Sequence, residues 1–209
     1  AEAGAIEPLV SILYSGTAAS KKAAVHALES ISQGKDTRAA LIRHGAALQL
    51  VELLRSSTAD ASDREQAVDT LYNLVLSNKQ GQLELVKAGA ITPLIDIIRG
   101  AINCDRKATA ALTLAWLAVT NDDHKIKIAK AGAVAPLVTL LGSGTDIFRQ
   151  RAANALQLLA NNAENKITIA KAGAVAPLVD LAVEALADLQ AGDVGVDFAV
   201  ARLLGPNVV

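Results

Sequence analysis

The sequence predicts an all-α protein built as a solenoid of about five tandem repeats, and three observations predict it. One phrase returns along the whole chain at a nearly constant interval. Hydrophobic residues make up 52% of the 209 residues while aromatic ones make up 2%, so the apolar content is nearly all Ala, Leu, Val and Ile, residues that suit closely packed helices. Within each interval the apolar positions follow the three- and four-residue spacing of a helix face.

The phrase reads Ala3-Gly4-Ala5-Ile6-Glu7-Pro8-Leu9-Val10, then Ala88-Gly89-Ala90-Ile91-Thr92-Pro93-Leu94-Ile95. It returns from Ala131 to Val138 and, letter for letter, from Ala172 to Val179. A degenerate copy, His44-Gly45-Ala46-Ala47-Leu48-Gln49-Leu50-Val51, fills the remaining gap. The marker glycines Gly4, Gly45, Gly89, Gly132 and Gly173 are 41, 44, 43 and 41 residues apart. That interval belongs to arrays of two or three helices per unit.

Each period divides into three helices. A short first helix such as Asn165 to Lys171 ends at the glycine, which can adopt the left-handed conformation that closes a helix. A second helix opens near a proline (Pro136, then Leu137, Val138, Leu140 and Leu141), where the missing N–H costs nothing. Gly142-Ser143-Gly144-Thr145 reads as the next turn, with Thr145 or Asp146 as the cap of a third helix. That helix carries Ala152, Ala153, Leu156, Leu159 and Ala160 along one apolar face.

With its short first helix, its glycine bend, its PLV opening and the phrase Ala155-Leu156-Gln157-Leu158-Leu159-Ala160 ending the third helix, the unit resembles the armadillo repeat. The resemblance covers essentially the whole chain. HEAT repeats share the period but lack the glycine bend before PLV, and rank second. The resemblance implies a right-handed α-solenoid forming one domain over residues 1–209, with repeats at roughly 1–34 (partial), 35–78, 79–121, 122–163 and 164–209. The first repeat starts at its bend, so Leu9, Ile12, Leu13 and Val25 are expected to lack a cover. This points to a segment of a longer protein or to pairing of that end with a second copy, a homodimer. The last repeat reads as a divergent cap, with an enlarged connection from Asp188 to Asp193.

Catalytic chemistry has little to stand on. His26, His44 and His124 lie on unrelated helices without a second ligand at metal spacing. Cys104 reads as a loop cysteine without a neighbouring base. The Gly142–Thr145 turn follows a helix and lacks the Lys-Ser/Thr of a phosphate loop. Asp122-Asp123 reads as a helix start, where carboxylates offset the dipole. The expectation is a non-enzyme with no cofactor and no metal. A net charge of −1 and a pI near 6.4 argue against a nucleic-acid partner. No signal segment and no run of about 20 apolar residues is visible, so no membrane insertion is expected. A single cysteine fits a reducing compartment, cytoplasmic, nuclear or both.

The armadillo resemblance implies that the third helices line a concave groove for partner segments. Aligned on ALxxLA, one groove position holds His26, Asp69, Leu112, Asn154 and Phe198; four residues on stand Ser30, Asn73, Trp116, Leu158 and Arg202. In the importin-α branch these two positions are Trp and Asn. Only Asn73 matches, which disfavours a nuclear transport receptor. Leu112, Trp116 and Leu158 instead form an apolar patch flanked by Asn73 and Asn154. Asp69, Arg151 and Arg202 read as its solvated border, and the lysines of the first helices as a hydrated outer face. A slip of one turn in this Ala-rich alignment would point Trp116 into the core; the sequence leaves both open. The expected function is a protein-interaction scaffold taking a protein or peptide segment. The alternatives are the substrate-recognition part of a larger ubiquitin ligase of plant U-box type, whose repeats read like AGAVAPLVxLL, or a self-associating structural solenoid.

Overall fold

The computed structural model describes residues 3–57, 59–100 and 106–190. Among them are thirteen α-helices and no strands. In chain order they are α1 (Ala3–Ser15) and α2 (Ala18–Ile31); α3 (Lys35–Arg43), α4 (Ala46–Arg55) and α5 (Ala61–Val75); α6 (Lys79–Lys87), α7 (Ile91–Arg99) and α8 (Arg106–Val119); α9 (Asp122–Lys130), α10 (Val134–Ser143) and α11 (Asp146–Leu159); and α12 (Ala163–Lys171) with α13 (Val175–Gln190).

Local chemistry sets these boundaries. Asn78, Asn121 and Asn162 cap the short helices α6, α9 and α12, each side chain accepting from backbone N–H groups of the first turn. A cap of this kind contributes about 1 kcal/mol. Gly45, Gly89, Gly132 and Gly173 then turn the chain at φ between 75° and 86°. At Gly89 the closure is a pair of hydrogen bonds: Gly89 N–H donates to the Val86 carbonyl, and Ala90 N–H donates to that of Leu85. The same pair recurs at Gly132 and Gly173, satisfying carbonyls that the helix end leaves open. Gly4 differs from the expected bend: it lies inside α1, with no helix ahead of it among the described residues for a left-handed glycine to close. Gly142 and Ser143 are likewise the last turn of α10, so the turn before α11 is shorter than expected.

The core repeats with the chain. α2, α5, α8 and α11 lie side by side in sequence order, and Leu28, Leu71, Leu114 and Leu156 form a fully buried ladder between them. Ala24, Ala67, Ala110 and Ala152, one turn back on the same helices, are buried as well and let the backbones approach closely. This stacking covers Val25 and Leu13, which were expected to be bare. α2 packs on α5, and α1 on α3 and α4, so the cover comes from the following repeat. Leu9 and Ile12 are half-buried against the same core. At the other end α13 continues to Gln190, past Asp188, where the connection was expected to begin.

Buried polar groups tie each first helix to the third helix before it. Asn165 donates to the carbonyls of Leu159 and Lys125, each at 3.1 Å, and Gln82 donates to that of Val75 at 3.2 Å. His124, also buried, sits 3.2 Å from the Leu117 carbonyl through Nδ1. It is a packing residue whose polar edge is satisfied. Two arginines bridge repeats on the outside: Arg55 donates to the carbonyl of Gly89 at 3.0 Å, and Arg99 to that of Gly132 at 3.2 Å.

Candidate functional site

The face shared by α2, α5, α8 and α11 carries the residues singled out from sequence. Helical periodicity puts positions four apart on one stripe, and the two rows keep register across repeats. His26 and Ser30 are exposed; Asp69, Leu112 and Asn154, with Asn73, Trp116 and Leu158, are all partly exposed. Gln66, Thr109 and Arg151 extend the stripe by a turn, also partly exposed. Phe198 and Arg202 lie outside the described residues, as does Cys104.

Trp116 and Leu158 are half-buried, each packed against the core while part of its surface stays open. The two alternatives for Trp116 are therefore both met in part: its ring helps seal α8 against the core and still borders the stripe. Leu112 is partly buried one turn away.

Three polar expectations change. Asp69 is no solvated border residue. Its carboxylate meets the guanidinium of Arg106 at 3.1 Å, with the side chains only 25% and 28% exposed respectively. Burial pushes the Asp69 carboxyl above its ordinary range; Arg106 and a hydrogen bond from Thr109 oppose this, while Glu29 and Glu65 add repulsion. Asn73 is engaged as well: its amide donates at 2.8 Å to the hydroxyl of the fully buried Ser32 in the preceding repeat. Lys125, placed on a hydrated outer face by its charge, keeps its side chain only 14% exposed and reaches Asp122 at 2.7 Å. Its aliphatic stem packs while its ammonium finds a carboxylate.

Sequence reasoning missed Arg106, the partner that fixes Asp69, and Tyr72, which shares the face one turn from Asp69 and is partly exposed. A charge search across neighbouring repeats would have found the first. At the entry to the stripe, Lys22 pairs with Asp60 at 2.9 Å, and Asp60 also caps α5 through the Asp63 N–H. The hydrogen bond from Lys22 holds the Asp60 carboxyl below its usual range, and the same bond raises the Lys22 ammonium. The stripe thus offers half-buried apolar surface on α8 and α11 beside amide and guanidinium donors. Among the described residues no three His, Cys, Asp or Glu side chains come together as a metal site, and no helix is long and apolar enough to cross a membrane.

Comparison with known proteins agrees with this architecture. A computationally designed armadillo repeat protein for modular peptide recognition superposes with a TM-score of 0.80 at 31% identity, covering 87% of this chain and 76% of its own. A designed armadillo repeat protein in complex with the peptide (KR)4 gives 0.79 at 30% identity, covering 96% and 82%. An engineered protein gives 0.81 at 29% identity, covering 97% of this chain and 47% of its own. No curated protein matches the sequence. Residues 3–176 match the family described as the plant U-box protein ARM repeat region. With that match over most of its length and with its helices stacked in threes, the chain belongs to the armadillo repeat family and is a protein-binding repeat module.

Proposed function

We propose that this chain is a non-catalytic adaptor of the cytoplasm or nucleus that receives a partner segment along the face of α2, α5, α8 and α11. The observation that carries the reading is the half-buried pair Trp116 and Leu158 on consecutive third helices. A large ring that is already partly ordered and partly dry is the kind of residue that dominates interface energetics. Asn154 borders the pair and offers an amide to a peptide backbone, whereas Asn73 already commits one amide N–H to Ser32. One or two apolar side chains of the partner would cover Trp116 and Leu158. The match to the ARM region of plant U-box proteins favours one refinement, that the partner is a substrate delivered to a catalytic unit.

Affinity capture with wild type and a Trp116→Ala/Leu158→Ala double variant tests this reading. The variant is expected to keep its helical circular dichroism and to lose at least ten-fold in affinity for the proteins that wild type captures. Removing two half-buried side chains will itself cost on the order of 2–4 kcal/mol of stability. Leu112→Ser, a smaller change on the same stripe, therefore serves as a second variant. Undiminished capture by both folded variants would place binding elsewhere.

A further inference from the structure

A second row of sites runs along the edge of the stack, where the second helix of one repeat meets the second and third helices around it. Between α4, α5 and α7 lies a slot of about 490 Å³ with apolar walls from Leu54, Val68, Pro93 and Ile97 and with Arg64 and Arg106 on its border. One repeat on, Ile98, Pro136 and Leu140 wall a slot of about 330 Å³ that Arg99 and Lys107 border. The two are the same structural position: Leu54 and Ile98, Pro93 and Pro136, Ile97 and Leu140, and Arg64 and Lys107 occupy matching places in their repeats.

Their charge is unlike that of the flanking junctions. Among the described residues five cationic side chains line this pair of slots against two carboxylates, Glu65 and Asp96. At the next junction Arg149 is closed off by Glu184 at 2.7 Å, and at the preceding one Lys21 faces Glu52 and Asp63. Asp69 pairs with Arg106, Glu52 with Arg55 and, at 3.9 Å, Asp96 with Arg99, but among the described residues no carboxylate pairs with Arg64 or Lys107. Among the described residues Arg64 is held by one bond, to the Ser56 carbonyl.

From these observations we infer that the two slots bind an acidic peptide segment that places one apolar side chain in each. Spacing selects its conformation. Neighbouring packed helices stand about 8–10 Å apart. A polyproline II chain returns to the same face every three residues, roughly 9 Å, whereas a β-strand does so every two residues, roughly 7 Å. The ligand is an acidic, proline-containing segment with apolar residues three apart. This surface meets the stripe only where Arg106 pairs with Asp69, and the inference does not rest on that stripe's function.

The test is fluorescence anisotropy with labelled Glu-Leu-Pro-Glu-Leu-Pro-Glu, against Lys-Leu-Pro-Lys-Leu-Pro-Lys as the reversed-charge control. Wild type should bind the acidic peptide, prefer it at least ten-fold, and lose affinity as salt is raised. Arg64→Gln/Lys107→Gln should weaken binding ten-fold or more, while Trp116→Ala/Leu158→Ala should leave it within two-fold. Carbodiimide coupling on unmodified protein gives a second readout, with the peptide carboxylate expected on Lys107 rather than on other lysines. No binding of the acidic peptide, equal binding of both peptides, loss only in the Trp116 variant, or coupling spread over unrelated lysines would each overturn the proposal.

Discussion

Asp69 shows how much a single residue's role depends on its surroundings. In the sequence it is a polar residue on a helix face; in the fold it is a mostly buried carboxylate paired with Arg106 and pressed by Glu29 and Glu65. Its ionised form is penalised by burial, so its folded-state pKa lies above the unfolded value. A group of that kind supports the fold fully below its unfolded pKa and withdraws that support as pH rises through the folded value. Wild type should therefore gain stability relative to Asp69→Asn as pH falls from 7 toward the ordinary carboxylate value of 3.8. Urea midpoints of the two proteins across that range check it, and a constant gap between them would count against it. A reading within single repeats misses the pair because Arg106 stands in the next one, and only a charge search across repeats brings the two together. The glycine bends were legible for the opposite reason. A positive φ is a local demand that Gly meets without strain, and it leaves the same mark at Gly45, Gly89, Gly132 and Gly173.

At the scale of the element, each repeat is held to the next by the core ladder and by outer bridges that differ between junctions. Arg55 and Arg99 each reach the carbonyl of the following glycine bend, and Gly142 stands at the corresponding place in α10. That position is exposed, and a Cβ added to Gly142 meets nothing within 4 Å. Gly142→Ala should stabilise the protein by about 0.5–1 kcal/mol through helix propensity. Gly142→Arg should add a further ~0.5 kcal/mol by bonding the Gly173 carbonyl, an exposed bond and so a modest one. Chemical denaturation of both variants separates propensity from the bridge; an arginine variant no more stable than the alanine one would refute the bridge. The helix order and the bends from Gly45 onward could be read from periodicity, whereas the Ala-rich third helices left their register open to a slip of one turn. The cover over Leu13 and Val25 could not, because each repeat buries its face on a neighbour. The extent of α10 and α13 was hidden for a related reason: glycine and aspartate weaken a helix end without fixing where it falls.

For the whole molecule, a stack of near-identical units gives a long surface whose local chemistry varies from repeat to repeat. The stripe on the third helices carries its half-buried apolar surface at α8 and α11, while the edge slots carry Arg64 and Lys107, which pair with no carboxylate among the described residues. Periodicity located both stripe rows in the sequence, but the degree of burial of Trp116 depended on how α8 seats between α5 and α11. Trp116 is also the chain's one tryptophan, so its emission reports on this face without labelling. The central claim is that a partner segment covers that ring. Acrylamide quenching of Trp116 should be intermediate in the free protein, as a partly exposed indole requires, and should fall when the segment captured by wild type is added to saturation. Quenching that stays unchanged at full occupancy would show that the partner binds away from the third helices, and would contradict the account.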